Sequence, residues 1–155
     1  MAQDTSVRLR AATAEDAEEI TRVFLASRAA ALPGLLRVHS DEETLARITH
    51  VVLPDSRVWV AEGEAGELLG FASLDGDELD QLYLRPDTLR RGIGTQLLER
   101  VKEASRGEVS LYTFQRNSAA RAFYERHGFV AVAYDDGSRN EEEEPDVLYR
   151  WTAVR

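Results

Sequence analysis

The stretch Leu89-Arg90-Arg91-Gly92-Ile93-Gly94-Thr95 carries the first chemical signal in this chain. Two glycines stand one residue apart between a strand-like and a helix-like pattern. Without Cβ atoms the backbone can approach a ligand closely. The first N–H groups of the helix lack internal partners and can point at phosphate oxygens. Arg90 and Arg91 add local positive charge. A phosphate cradle and an ordinary tight turn both fit these residues. A P-loop does not, because no Gly-x-x-x-x-Gly-Lys string occurs. A dinucleotide fingerprint also fails, because Leu97 stands where its third glycine would be.

Other residues able to do chemistry lie on either side. Glu78 and Asp80 are two apart at the start of a strand pattern, so plain alternation puts both carboxylates on one face with Leu82 and Leu84, opposite Leu79, Gln81 and Tyr83. Asn117 is placed to cap a helix that carries Ala120, Phe123 and Tyr124. Tyr124 is a packing aromatic or a proton donor on its type alone. The three histidines, His39, His50 and His127, fall in separate elements without ligand-like spacing, so no metal is expected. The chain has no cysteine, which removes disulfides, thiolate metal sites and a cysteine nucleophile.

At the level of the whole chain, 155 residues suit one domain, and 43% hydrophobic with 30% charged residues suits a globular one. Nineteen basic against 28 acidic residues give a formal net charge of −9. Such a surface recruits neither nucleic acid nor an anionic membrane by bulk charge. No apolar run approaches a membrane span, and MAQDTSVRLR has no signal-type apolar stretch, so a cytoplasmic protein is expected.

The elements that would position these residues can be read in order. A strand at Val7–Ala11 precedes a helix opened by Thr13 and Asp16, fading before Pro33-Gly34. Ser40 and Glu43 form a second capping box, and that helix is expected to end before Pro54. Strands at Arg57–Glu62, Leu68–Leu74 and Glu78–Leu84 make a meander. A helix follows Gly92, then come a strand at Val109–Phe114, the Asn117 helix, and strands at Phe129–Tyr134 and Val147–Val154. Asp135–Asp146, with glutamates at 141–144, reads as a solvated loop.

Together, Leu82-Tyr83-Leu84-Arg85-Pro86, the glycine segment, and Asn117 through Phe129 one strand later resemble the GNAT superfamily of acetyl-CoA-dependent N-acetyltransferases. The motifs are specific from about Gly70 to Tyr134, and the element order extends the likeness over most of the chain. The resemblance implies a single N-acetyltransferase domain over residues 1–155. Its fold would be α/β, a GNAT-like mixed twisted sheet of about six to seven strands flanked by about four helices. Val109–Phe114 would lie beside Glu78–Leu84, with the two strands splayed at the cofactor end.

The same resemblance implies the site. Residues 89–95 match the pyrophosphate loop, usually Gln or Arg, two residues, Gly, one residue, then Gly or Ala. Gly92 and Gly94 fit. Leu89 departs from the leading polar position, and Arg90 stands where a further glycine is common. Cofactor-binding positions are thus Leu89, Arg90, Arg91, Gly92, Ile93, Gly94 and Thr95. Leu82, Tyr83 and Leu84 join them through the strand backbone, with Asn117, Ala120 and Tyr124 on the later helix. Tyr124 matches the tyrosine that protonates the leaving thiolate, and Glu78 matches a strand glutamate that takes the amine proton through water. Asp80 or water alone is the alternative base. The implied reaction is direct attack by a primary amine on acetyl-CoA in a ternary complex. A small cationic amine is the expected acceptor; a protein or peptide amine and a noncatalytic acyl-CoA sensor are the alternatives. A homodimer is the family habit.

Overall fold

A computed structural model describes residues 7–88 and 91–154. Leu89 and Arg90 therefore lie outside the described residues. Strand β1 (Arg8–Ala11) leads through a 3₁₀ turn (Ala14–Asp16) into α1 (Ala17–Ala31). Helix α2 (Asp41–Arg47) is followed by the meander β2 (Arg57–Glu62), β3 (Leu68–Asp75) and β4 (Glu78–Leu84). Helix α3 (Ile93–Ala104), β5 (Glu108–Phe114), α4 (Ser118–Arg126), β6 (Val130–Asp135) and β7 (Asp146–Thr152) complete the chain. The seven strands form one sheet in the order β1-β2-β3-β4-β5-β7-β6. Every neighbouring pair is antiparallel except β4–β5, which is parallel.

Both capping boxes form. Ser40 Oγ accepts the Glu43 N–H at 3.1 Å and Glu43 accepts the Ser40 N–H at 2.8 Å. Asp16 accepts the Thr13 N–H at 2.7 Å and also accepts from the two terminal guanidinium nitrogens of Arg10, Nη2 at 2.8 Å and Nη1 at 2.9 Å. That pairing holds the Asp16 carboxyl below its ordinary pKa, chiefly through the Arg10 hydrogen bonds. Arg10 pairs again with Glu62 at 2.9 Å, so one arginine ties β1 to β2 and to the start of α1.

Pro54 does not stop the second helix as expected. The chain passes from α2 through a π turn (Ile48–Val52) into a final α turn at Leu53–Asp55. In the π turn the Leu53 N–H reaches back to Ile48 O. The wider turn changes the bonding pattern just ahead of Pro54 and accommodates a residue with no N–H to give.

The core has two parts, one on each face of the sheet. On one side α3 sets Ile93, Leu97, Leu98 and Val101 against Leu69, Ala72, Leu74 and Leu79, and the cluster runs on to Val109, Leu111, Tyr124, Val147 and Tyr149. On the other side α1 and the π turn place Ile20, Val23, Ile48 and Val52 against Val58, Val60 and Phe71. Fully burying side chains of this size is worth roughly 1.5–3 kcal/mol each.

Strand β4 does not alternate as its sequence suggests. Ser73 pairs with Gln81 and Leu74 with Leu79, so Asp80 is an extra residue with no opposite number. This β-bulge resets the alternation. Leu79 packs on the α3 side, and so do Leu82 and Leu84 beyond the bulge. Tyr83 turns to the α1 side, against Phe24 and Phe71. The expected sharing of one face by Glu78, Asp80, Leu82 and Leu84 is thereby corrected.

Candidate active site between two parted strands

β4 and β5 pair at their base alone. Glu78 stands opposite Ser110, whose N–H donates to Asp77 O at 2.9 Å. Farther along, the strands separate, and a cleft of about 1320 Å³ opens between them. Its walls include Leu82, Tyr83 and Leu84 of β4 and Leu111 to Phe114 of β5. Strand edges that part in this way leave backbone N–H and C=O groups available to an extended ligand.

Helix α3 opens onto the cleft. Gly92 caps it in the left-handed region at φ 79, which favours glycine. Its carbonyl accepts the Gln96 N–H at 3.1 Å. The N–H groups of Ile93, Gly94 and Thr95 precede the first intrahelical bond, where the helix end favours an anion. Gly94 has a packing reason of its own. A Cβ there would lie 3.3 Å from Phe123 Cζ and 3.5 Å from Leu84 Cδ1. Thr95 Oγ1 is 3.2 Å from His127 Nε2. Burial pushes the His127 imidazole below its ordinary pKa, and the Lys102 charge adds to this.

Helix α4 forms another wall. Asn117 Oδ1 accepts the Ala120 N–H at 3.2 Å, and Asn117, Ala120, Phe123 and Tyr124 all line the cleft. Tyr124 is 8% exposed and packs among Phe123, Phe129 and Tyr149. Burial raises its pKa well above the ordinary phenol value, and Tyr83 contributes in the same direction. The hydroxyl is therefore a neutral O–H at physiological pH. Arg121 donates to Tyr149 at 3.0 Å and Tyr149 donates to Glu125 at 2.6 Å, fixing α4 against β7.

The two carboxylates of β4 occupy different places. Asp80 lines the cleft; Glu78 stands at its closed base beside Ser110 and is not part of the wall. Burial raises the pKa of both. For Glu78 the charges of Asp80 and Asp75 add to the rise, whereas for Asp80 the Arg47 charge opposes it. Thus the cleft brings together Leu82, Tyr83, Leu84, Gly92, Ile93, Gly94, Thr95, Asn117, Ala120 and Tyr124, together with Asp80. Among the described residues, no group of three or more His, Cys, Asp or Glu side chains is arranged to hold a metal.

The residues that sequence reading missed are at the far end. The glutamate run is not simply a solvated loop. Glu142 pairs with Arg28 of α1 at 3.1 Å, Glu141 with His39 at 2.6 Å and Glu144 with Arg116 at 3.1 Å. Gly137 lets this loop fold on itself, since a Cβ there would lie 2.6 Å from the Glu144 backbone. Arg28 and Glu142 both line the cleft. The sequence offered only Phe24 four residues before Arg28 as a hint of a held arginine.

Residues 54–131 match the family described as acetyltransferase (GNAT) domain. The chain is 34% identical over 104 residues to the peptidyl-lysine N-acetyltransferase YiaC of Escherichia coli, covering 66% of this chain and 68% of that one. It is 28% identical over 123 residues to the peptidyl-lysine N-acetyltransferase YjaB of Salmonella typhimurium, covering 79% and 83%. Among solved structures, apo YjaB from Escherichia coli superposes with a TM-score of 0.77 at 23% identity, over 96% of this chain and 99% of that one. The PaiA N-acetyltransferase of Thermoplasma acidophilum, in complex with coenzyme A, gives 0.74 at 22% identity over the same shares. These structural likenesses speak for the fold. With a mixed seven-stranded sheet parted at β4–β5, a glycine-capped helix at the cleft and the family match over half its length, the chain belongs to the GNAT family of acetyltransferases.

Proposed function

We propose that the protein moves the acetyl group of acetyl-CoA onto a primary amine of a small molecule, by direct attack within the β4–β5 cleft. The observation that carries this reading is that Tyr124, itself buried, lines the same cleft as the glycine-capped start of α3. When bound, acetyl-CoA supplies an activated thioester carbon. The residues present fit it: a helix start bearing Gly92 suits a pyrophosphate, and the open β4 edge at Leu82–Leu84 suits an amide-bearing arm. Arg91, together with Leu89 and Arg90, belongs to the same proposed loop.

In the reaction an N–C bond forms and the C–S bond breaks. The amine loses a proton and the sulfur gains one. Tyr124 donates that second proton as a general acid. The first goes to the Glu78–Asp80 pair, Asp80 from the cleft wall and Glu78 through water. Their raised pKa values move them toward the range useful to a base. Asp80, Asp135, Glu142 and Asp146 on the cleft wall outnumber Arg28, Arg126 and Arg139 there, and this balance favours entry of an ammonium group.

A peptide lysine is the second reading, favoured by the names of the two relatives above. The small acceptor is supported by the cleft being walled by α1, through Arg28, and by the β6–β7 loop, through Glu142. The test is release of free thiol from acetyl-CoA across polyamines, aminoglycosides, amino acids and lysine peptides. Turnover with a small amine and none with peptides is expected; the reverse overturns the small acceptor.

A further inference from the structure

Arg28 is held in the cleft in a way an ordinary surface ion pair is not. Its guanidinium carbon lies 5.2 Å from the centre of the Phe24 ring and 5.5 Å from that of Phe114. The two rings come from opposite sides of the parted sheet, one from α1 and one from β5. Aromatic faces on a guanidinium fix its plane and leave its edge for planar anions. Only Nη2 is hydrogen-bonded among the described residues, to Glu142 at 3.1 Å, so the fork retains donors. The Arg28 charge also reaches the Tyr83 hydroxyl, whose pKa it lowers against the effect of burial, and Tyr83 in turn bears on Tyr124. Arg28 and Tyr83 both pack on Phe24 and line the same cleft.

We infer that Arg28 is the seat for a carboxylate on the acceptor, with Glu142 as an internal occupant that the acceptor displaces, so that the acceptor is an amino acid bearing both an amine and a carboxylate. This rests on acetyl transfer in the cleft and names its acceptor class. The carboxylate of Glu142 already shows which group Arg28 accepts. The loop has contacts that do not involve Glu142: Glu144 pairs with Arg116, and its backbone is bonded on both sides by the Asn140 side chain. Asp135 is engaged by Arg139 and the Gly137 N–H and Asp146 by Asn140, so Asp80 receives the ammonium, and Arg28, the arginine of the wall that is stacked on two rings, receives the opposite charge. A planar fork against a carboxylate gives two parallel hydrogen bonds, which a point charge does not.

The experiment compares each amino acid with its decarboxylated counterpart: phenylalanine with phenethylamine, and lysine with cadaverine. Wild type, Arg28→Gln and Glu142→Gln are assayed by thiol release, with melting curves to establish folding. At least one amino acid is expected to exceed its counterpart by about 10²-fold in kcat/KM, as expected where a charged group's hydrogen bonds are lost. Arg28→Gln should erase that preference. Glu142→Gln should lower KM for the amino acid, since the internal competitor is gone. If the pair were only a structural tie, the two variants would act in the same direction and leave the preference unchanged. Should Arg28→Gln fail to fold, the sign of the Glu142→Gln effect decides alone. Preference for the decarboxylated amines overturns the inference, as does turnover of lysine peptides with no amino acid accepted, or no turnover of any acceptor. Coenzyme A binding by calorimetry, with transfer to a polyamine or peptide, would show that acetyl transfer survives even where the carboxylate seat does not.

Discussion

Replacing Tyr124 with Phe deletes one oxygen and keeps nearly all of the packing against Phe123, Phe129 and Tyr149. Coenzyme A binding should persist in calorimetry, because the α3 start is elsewhere in the cleft. The turnover number should fall by about 10²-fold if proton transfer to sulfur limits the rate. Unchanged turnover in the folded variant would remove Tyr124 from the chemistry. The base is tested by pH. Burial raises the Asp80 and Glu78 carboxyls, so each is protonated to a higher pH than an ordinary carboxyl and the acid limb of activity is displaced upward. Asp80→Asn and Glu78→Gln should lower kcat/KM most above that limb, where the wild-type carboxylates are ionised, and the variant and wild-type profiles should converge in acid. A profile unchanged in shape and height would leave deprotonation to water. Tyr124 was legible as a candidate because its helix motif is local. Arg28 was not, since its charge partner lies 114 residues away and its aromatic clamp is half formed by β5.

Secondary structure follows local rules closely where caps and turns are strong. Thr13 with Asp16, Ser40 with Glu43, Asn117 and Gly92 each mark a helix start that the chain adopts. Pro54 misled because a π turn changes the hydrogen-bond pattern in front of it. The alternation of β4 misled because a bulge depends on the partner strand, which a single strand's pattern does not contain. Among the caps, Asp16 carries the most. Asp16→Asn should cost about 1–2 kcal/mol in chemical denaturation, from the lost cap and a weakened Arg10 contact. Arg10 holds the native carboxyl below its ordinary 3.8, so its contribution is fully present above that value and fades as pH falls through the lower native pKa. The stability curves of the wild type and the Asp16→Asn variant should therefore converge in acid and diverge toward neutrality. A constant gap across pH would show that the charge plays no part.

At the scale of the molecule, two half-sheets meet along one short parallel seam at Glu78 and Ser110. The rest of that boundary is the cleft, lined on its wall by the Arg28–Glu142 pair. Overall topology was legible because each element announces itself and short connections restrict their order. The bracing of the acidic loop was not, because a run of like charges reads as solvent-facing until its distant cations are placed beside it. If coenzyme A fills the seam, amide exchange at Leu82–Leu84 and Ile93–Thr95 should slow at least about tenfold at saturating ligand, read by mass spectrometry. Protection confined to the surface of α2 would place the ligand somewhere else.

The extra residue at Asp80 makes the length of β4 matter separately from its spelling. A substitution at this position alters chemistry and keeps the frame. Deleting the residue would restore unbroken alternation and leave everything from Gln81 onward on the face it already holds, because Leu79 and Gln81 already stand opposite the adjacent residues Leu74 and Ser73. Tyr83 would keep Phe24 and Phe71, and Leu82 and Leu84 would keep the α3 core. β4 therefore carries one residue more than its pairing needs: a variant library can drop the letter at Asp80 and keep the strand's two faces, while losing the carboxylate that lines the cleft.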